Sequence, residues 1–306
     1  MTDSNGLSRR GFLTRGAAVG GLIAVPALLT ACSKTNPKTG QAEGQSTLQK
    51  ARKQGYIKIG FAGEAPYGFN QGNTPTGEAP TLHKIIFKKL GIPEIHASVV
   101  DFDALIPSLN ANKFDVVSAG MAITPERCAK VIFSEPEFIG PTALMVKKGN
   151  PMKLTDLASC AKANAKVGVL TAAVEDGYAK SAGVKSITTL PAQQDGLDAL
   201  VAGRIDAFAL TGISLNWLSK SGSNKGKPVQ VLTPFVPEVK GVKQYSPGGA
   251  VFRKADTSLR DAFNKQLLAI TGNPSEYVQL LGKYGFGNSE VPPKGLTTAK
   301  LCAGKA

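Results

Sequence analysis

Apolar residues recur along this chain with two spacings, one typical of strands and one typical of helices. Residues 56–62 begin with alternating apolar positions and continue as an apolar run, which predicts a strand that enters a core. Residues 257–271 carry a helical stripe that we expect to pack against a core, formed by Leu259, Phe263, Leu267, Leu268 and Ile270.

The same two spacings predict further elements along the rest of the chain. Strands are predicted at residues 95–100, 115–119, 143–146, 166–170, 186–190, 205–210 and 229–236. Helices are predicted at residues 81–90, 103–112, 173–182, 194–202 and 275–281. Strands and helices therefore follow one another in two groups, which indicates an α/β fold. With 306 residues, 42% of them apolar, the chain is long enough for two domains that each have a core.

Residues 102–136 combine a short helix, a strand, a loop and a second helix start. Thr124 suits an N-cap, Pro125 suits the first helical position, and Glu126 suits the positive end of a helix. Arg127 then falls in the first turn, beside free backbone N–H groups at the end of a strand. This combination favours a carboxylate. The simpler interpretation is an ordinary strand-to-helix turn whose arginine faces solvent.

The net charge of +14 does not point to nucleic acid, because the lysines and arginines are scattered and no aromatic residues are interleaved with a basic cluster. Attraction to an anionic membrane surface is a secondary interpretation. His83 and His96 stand alone in the sequence, so we expect no metal site and no cofactor.

The amino terminus has the pattern of an export signal. Residues 8–13 (SRRGFL) fit a twin-arginine motif, and residues 29–32 (LTAC) fit a bacterial lipoprotein cleavage box. We therefore predict a signal peptide at residues 1–31, a lipidated Cys32, and a flexible tether over residues 32–54. The protein is then expected outside the cytoplasm, anchored to the outer face of the bacterial cytoplasmic membrane. Cys128, Cys160 and Cys302 could form any one of three disulfide pairs there.

The sequence of residues 103–136 (DALIPSL, FDVVSAGM, ITPER, FSEP) resembles the polar amino-acid-binding branch of the periplasmic binding proteins, solute-binding protein family 3 of ABC importers. Weaker similarity extends over about residues 55–302. The resemblance implies a two-lobed fold of mixed sheets flanked by helices. The lobes close about a hinge formed by the two crossings, the segments where the chain passes from one lobe to the other. It implies lobe 1 at residues 55–145 and 248–306, and lobe 2 at 146–247. The implied partners are a small solute and a membrane permease, and the protein is expected to be a monomer and not an enzyme.

Within that branch, the match to ectoine- and hydroxyectoine-binding proteins is closest. On this resemblance Glu64, Tyr67, Phe102 and Arg127 fall on ligand positions. Arg127 would pair with the carboxylate of a zwitterion, the rings of Tyr67 and Phe102 would face its delocalised cation, and Glu64 would accept an N–H. The wider set of implied ligand-contacting positions is Met121, Ala122, Thr124, Thr171, Ala173, Val174, Glu175 and Thr211. The same resemblance favours a Cys128–Cys302 disulfide.

The chain departs from that family at two positions. Ala122 stands where a third aromatic ring is expected, and Val174 stands where a threonine would reach the carboxylate. Backbone N–H groups of residues 173–175 could still serve there. The strand at residues 205–210 also lacks the terminal acid that pairs with an α-ammonium group, because Thr211 follows it. This absence argues against a standard α-amino acid.

Three alternatives to an ectoine binder remain open at the level of sequence. The same machinery could carry a betaine or a polar amino acid. A dehydratase-type enzyme on the same fold would need an acid or base in the cleft, for which Glu64 is the one residue we can name. A sensory or adhesion lipoprotein is the third alternative.

Overall fold

The computed structural model describes residues 45–305. The predicted signal peptide, Cys32 and the first part of the predicted tether lie outside the described residues. None of the helices within residues 45–305 is long and apolar enough to cross a membrane.

The secondary structure alternates between strands and helices, as the sequence predicts. The strands are β1 (Tyr56–Phe61), β2 (Phe69–Gln71), β3 (Thr74–Thr76), β4 (Glu94–Val99), β5 (Val116–Val117), β6 (Ile132–Phe133), β7 (Thr142–Lys147), β8 (Lys166–Leu170), β9 (Ser186–Leu190), β10 (Ala207–Thr211), β11 (Val229–Val231), β12 (Glu238–Val239), β13 (Val242–Lys243) and β14 (Val251–Phe252).

The α-helices are α1 (Thr47–Gln54), α2 (Glu78–Lys89), α3 (Leu105–Asn110), α4 (Pro125–Cys128), α5 (Leu157–Lys162), α6 (Val174–Ser181), α7 (Gln193–Val201), α8 (Gly212–Lys220), α9 (Thr257–Thr271), α10 (Pro274–Leu281) and α11 (Thr298–Cys302). Short 3₁₀ turns precede α3 and follow α8 and α10.

Two five-stranded sheets organise the two lobes, and both are mixed. The first has the order β4-β1-β5-β14-β6, with β14 antiparallel to its neighbours. The second has the order β11-β7-β10-β8-β9, with β7 antiparallel to both β10 and β11. The two-lobed α/β fold with mixed sheets flanked by helices is therefore confirmed.

Each sheet is covered by apolar clusters on both faces, because successive strand residues point in opposite directions. In β10, Ala207 and Ala209 join one cluster while Phe208 and Leu210 join the other. In the first sheet, Ile57 and Ile59 of β1 join the cluster that contains residues of α2 and α9, whereas Phe114 of the other cluster packs against Gly60, between them and Phe61. The continuous apolar runs that predict these strands follow directly from this two-sided burial.

The first crossing between the lobes lies slightly earlier than the predicted boundary after residue 145. All of β7 belongs to the second sheet, so this crossing precedes Thr142. The second crossing precedes Gly248, which already bridges to Ala122 and Phe138 of the first lobe. The two crossings touch each other, since the Gly140 N–H donates to the Tyr245 carbonyl at 3.1 Å.

Several local predictions need correction. The tether prediction is wrong for residues 47–54, which form α1 because Ser46 and Gln49 make a reciprocal capping box and Leu48 and Ala51 are buried. Helix α8 and the hairpin β12–β13 were not predicted, and β11 is shorter than the predicted strand at 229–236.

The helix at 257–271 is confirmed, although one residue of its predicted stripe points outward. Leu259, Phe263, Leu267 and Ile270 are buried in the core of the first lobe, whereas Leu268 is 54% exposed. The resemblance-based disulfide is also confirmed, because Cys128 is bonded to Cys302 and thereby joins α4 to α11. Among residues 45–305, Cys160 is left as a buried thiol.

A polar cluster is buried in the core of the first lobe. His83 bonds through Nε2 to Glu137 Oε1 at 2.9 Å and through Nδ1 to Ser118 Oγ at 2.8 Å, so it is satisfied within the protein. Glu78, in the first turn of α2, is fully buried, and neither carboxylate oxygen has a hydrogen-bond partner among the described protein atoms. Burial and the nearby Glu137 raise the pKa of Glu78 well above its ordinary value.

We predict that Glu78→Gln stabilises the protein increasingly as the pH rises above about 4.5. In the wild type the folded state keeps the Glu78 proton while the unfolded state loses it. The free energy of unfolding therefore falls by about 1.4 kcal/mol for each pH unit between the ordinary pKa of a glutamate and the higher pKa of Glu78 in the folded state. Glutamine cannot ionise, so the variant escapes this loss. Denaturant unfolding at pH 5, 6, 7 and 8 measures the difference.

Asp261→Asn is the matched control, because the Asp261 side chain belongs to the same lobe, is 66% exposed and pairs with an arginine, Arg260, that stays charged throughout this pH range. Its stability difference from wild type should not change with pH in this way. A Glu78→Gln difference that is constant from pH 5 to pH 8 would contradict the prediction.

Candidate functional site

The two lobes face each other with loops that follow the carboxyl ends of their strands. Residues 62–68 follow β1, residues 118–124 follow β5, and residues 171–173 follow β8. In open α/β sheets, ligands bind outside these strand ends. The loops bring together most of the residues that the sequence predicts for the site.

Arg127 lies in the gap between the lobes. Thr124 caps α4 by accepting the Arg127 N–H at 3.3 Å, and Pro125 takes the first helical position, as predicted. The guanidinium donates from Nη1 to the Ala122 carbonyl at 2.8 Å and from Nη2 to the Ala172 carbonyl of the second lobe at 2.9 Å. It also lies 5.4 Å from the centroid of the Phe102 ring. These two hydrogen bonds use two of the five guanidinium donors.

Glu64 connects the lobes from the other side of the cleft. Its Oε1 accepts a hydrogen bond from Ser214 Oγ at 2.9 Å, and Ser214 lies in the first turn of α8. Burial raises the pKa of Glu64 to about 7, partly offset by the bond from Ser214 and by Arg127. Ser214 was missed by sequence analysis because α8 itself was not predicted.

Tyr67 does not present its ring to the cleft, which corrects its predicted role. The ring is 1% exposed and packs against Phe138 at 4.7 Å and Phe286 at 5.6 Å between centroids. The backbone of Gly120 lies against it so closely that a Cβ there would be 2.4 Å from a ring carbon. Its hydroxyl group reaches across the lobes and donates to Thr211 Oγ1 at 3.3 Å. Tyr67 and Thr211 therefore form a contact between the lobes.

The loop between β8 and α6 is held in an unusual conformation. Ala172 has a φ of +61°, which L-residues rarely adopt. Its carbonyl oxygen accepts the hydrogen bond from Arg127 Nη2. The N–H and hydroxyl of Thr171 both donate to the Leu190 carbonyl, at 2.9 and 3.2 Å. The N–H of Ala173 donates to the Leu170 carbonyl at 3.2 Å. Thr171 and the Ala173 N–H thus donate within the second lobe, and their predicted ligand contacts stay predictions.

A cavity of about 1050 Å³ extends from this gap toward the crossings. Seven of the predicted site residues line it, namely Phe102, Met121, Ala122, Thr124, Arg127, Ala173 and Val174. Glu64, Tyr67, Thr171, Glu175 and Thr211 do not line it.

Tyr178 of α6 is a ring from the second lobe that borders the same cavity as Ala122. It is 9% exposed, and its hydroxyl lies 3.1 Å from Ser246 Oγ. Sequence analysis missed this residue, although its position one helical turn after Val174 could have indicated it.

The rim of the cleft is joined by contacts that do not involve these residues. With its amide nitrogen directed at the Ala65 carbonyl, Gln193 of α7 donates to that carbonyl at 3.1 Å and accepts the Ala65 N–H at 3.0 Å. Nearby, the rings of Phe69 and Trp217 meet across the lobes at 5.7 Å. The two lobes are therefore closed on each other. We call the Gln193–Ala65 pair the rim latch.

Comparison with known proteins connects this geometry to a family. Residues 57–288 match the family model of bacterial extracellular solute-binding proteins, family 3. The chain belongs to this family. A probable amino-acid ABC transporter periplasmic-binding protein, y4tE of Sinorhizobium fredii, is 36% identical over 272 residues, which is 86% of this chain and 88% of the relative. The L-arginine-binding protein of Pseudomonas aeruginosa is 32% identical over 191 residues, 60% of this chain and 70% of the relative.

Solved structures of the family have the same architecture. EhuB in complex with hydroxyectoine is 34% identical, with a TM-score of 0.73 over 84% of this chain and 97% of that one. An ancestral arginine-binding protein bound to arginine is 30% identical, with a TM-score of 0.65 over 75% and 98%. The ancestral amino acid-binding protein AncCDT-1, a precursor of cyclohexadienyl dehydratase, is 28% identical, with a TM-score of 0.68 over 78% and 99%.

The molecule is therefore a solute-binding protein of an ABC amino-acid transporter. Proteins of this family act outside the cytoplasm, bind small solutes and deliver them to membrane permeases. The family is one of binding proteins.

We predict that Gln193→Ala opens this solute-binding protein by removing both hydrogen bonds of the rim latch. Each bond contributes about 0.5–1.5 kcal/mol net, so the closed state should lose roughly 1–3 kcal/mol relative to the open state. Small-angle X-ray scattering of the ligand-free variant should give a larger radius of gyration.

The matched control for the rim latch is Gln194→Ala on the same helix. Gln194 bonds only within the second lobe, to Asp198 and Asn224. Identical scattering from both variants and wild type would show that the latch does not hold the lobes together.

Proposed function

We propose that this protein captures a small zwitterionic solute between its lobes, with Arg127 pairing to the carboxylate. The observation that carries this proposal is the position of Arg127, whose guanidinium contacts backbone carbonyls of both lobes at the inner end of the cavity. A bidentate carboxylate could use the remaining guanidinium donors or displace one carbonyl. Either arrangement couples ligand binding to the closed state.

The cationic end of the ligand has two partners in this proposal. Glu64 supplies a buried carboxylate that can accept an N–H, and Phe102 supplies a half-buried ring face on the wall of the cavity. Tyr178 adds a ring from the second lobe near Ala122. Closure on such a ligand selects a population in which both ends are held at once.

Two solute classes fit this description. Ectoine and hydroxyectoine are supported by the likeness to EhuB in complex with hydroxyectoine, and by the sequence resemblance that puts Glu64, Phe102 and Arg127 on ligand positions. A polar amino acid is supported by relatives whose names state amino-acid or arginine binding. The enclosed ring of Tyr67 and the small Ala122 leave fewer ring faces than the aromatic site that the resemblance to ectoine binders implies. A betaine lacks the N–H that Glu64 would accept, so we place it after both.

We predict that Arg127→Ala abolishes binding of the solute while the fold is kept. Removing one member of a desolvated charge pair costs about 2–5 kcal/mol, a loss of roughly 30-fold to several-thousand-fold in affinity. A thermal-shift screen of ectoine, hydroxyectoine, glycine betaine and the twenty amino acids identifies the ligand, and titration calorimetry compares the variants.

Arg204→Ala is the control, because Arg204 is an exposed cation of the second lobe and lies outside the cavity lining. Its affinity for the ligand should equal that of wild type. Unchanged affinity in Arg127→Ala would remove this arginine from the site.

We further propose that the protein is exported, acts as a monomer, and is anchored through a lipidated Cys32. The support is the order of motifs in the first 32 residues. Replacement of Cys32 by serine should abolish incorporation of a labelled fatty acid and release the protein from the membrane fraction. Labelling that persists in Cys32→Ser would contradict the anchor.

A further inference from the structure

A second buried carboxylate belongs to Glu175, which follows the cavity-lining Val174 at a position where only backbone N–H groups were expected to act. Glu175, in the first turn of α6, is 2% exposed. Its carboxylate accepts a hydrogen bond from its own backbone N–H, but Oε1 has no partner among the described protein atoms. A buried carboxylate oxygen without a donor is costly, so this oxygen needs a donor from a ligand or a proton.

The charged and titratable groups that face Glu175 come from both lobes. Arg127 of α4 favours its ionised form, whereas Glu64 from the loop after β1 opposes it. Tyr67 and Tyr178 also lie within electrostatic reach of Glu175. Burial dominates these influences and raises the pKa of Glu175 to about 7, as it does for Glu64.

The net charge of the cluster formed by Glu64, Glu175 and Arg127 determines which ligand charge the site can balance. Two ionised glutamates and one arginine together carry one net negative charge. A solute with no net charge leaves that imbalance in a desolvated site unless one glutamate holds a proton. A solute with one net positive charge removes the imbalance while both glutamates are ionised, and its additional N–H groups can reach Glu175 Oε1.

We propose that Glu175 is the residue that selects the charge of the ligand, so that the site prefers a solute carrying a carboxylate and a net positive charge. This inference rests on the proposed function, because it concerns the same cleft and the same arginine. Among the solutes considered above, it favours a basic amino acid over neutral zwitterions.

The test compares L-arginine, which has one net positive charge, with L-glutamine and hydroxyectoine, which have none. Calorimetry should show at least a tenfold preference of wild type for arginine at pH 8. The preference should shrink as the pH falls to 6, because protonation of a glutamate removes the charge imbalance for the neutral solutes. Glu175→Gln should lose at least tenfold in arginine affinity and should not weaken glutamine binding, because the charge imbalance for a neutral solute is then removed.

Asp198→Asn is the matched control, since it removes one negative charge from the same lobe at an exposed position paired with Lys227. It should keep the preference of wild type. An unchanged arginine-to-glutamine ratio in Glu175→Gln, or a wild-type preference for a neutral solute, overturns this inference and leaves the proposed function standing. Wild type that binds none of the solutes overturns the proposed function, and this inference with it. If Glu175→Gln does not fold, the pH dependence of the wild-type preference decides alone.

Discussion

The closed cleft depends on one guanidinium that bonds to both halves of the molecule. Arg127 joins the Ala122 carbonyl of its own lobe to the Ala172 carbonyl of the other lobe. Burial lowers the pKa of Arg127, although an arginine stays charged in any case. Its charge must therefore be balanced inside the cleft. Two carbonyl dipoles do so in part, and the anionic group of a solute would do so more fully.

The scaffold places this arginine by ordinary local rules. Thr124 and Pro125 fix the start of α4, and the Cys128–Cys302 disulfide ties the end of that short helix to α11. A helix of four residues has little stability of its own, so these attachments provide the rigidity that its length cannot. The opposite carbonyl depends on Ala172, whose left-handed backbone is tolerated in the connection between a buried strand and α6.

The sequence predicted the fold well wherever a segment is buried on one or both faces in a regular period. Strands β8 and β9 and helix α9 coincide with their predictions because Val167, Val169 and Leu259 belong to such patterns. Helix α8 was missed because its apolar residues are divided between two clusters. Leu215 and Leu218 are buried in the second lobe, whereas Ile213 and Trp217 pack against the core of the first lobe.

Prediction of the site was limited for a different reason. The cap and arginine of α4 are local features and could be found from four consecutive residues. Whether a ring faces the cleft is decided by residues far away in sequence. Tyr67 is enclosed by Phe138, Phe286 and the backbone of Gly120, which no local pattern around residue 67 reveals. Similarly, the sequence predicts a role only for the backbone N–H of Glu175, because no local pattern around residue 175 indicates that its side chain is 2% exposed.

Closure of the lobes changes the electrostatic environment of the groups it buries. The rim latch and the Tyr67–Thr211 bond favour the closed state by small neutral interactions. Desolvation of Glu64 and Glu175 opposes it, as their pKa values of about 7 indicate. A cationic solute removes the opposing contribution and leaves the favourable contacts intact, so recognition of charge and closure of the cleft become the same event.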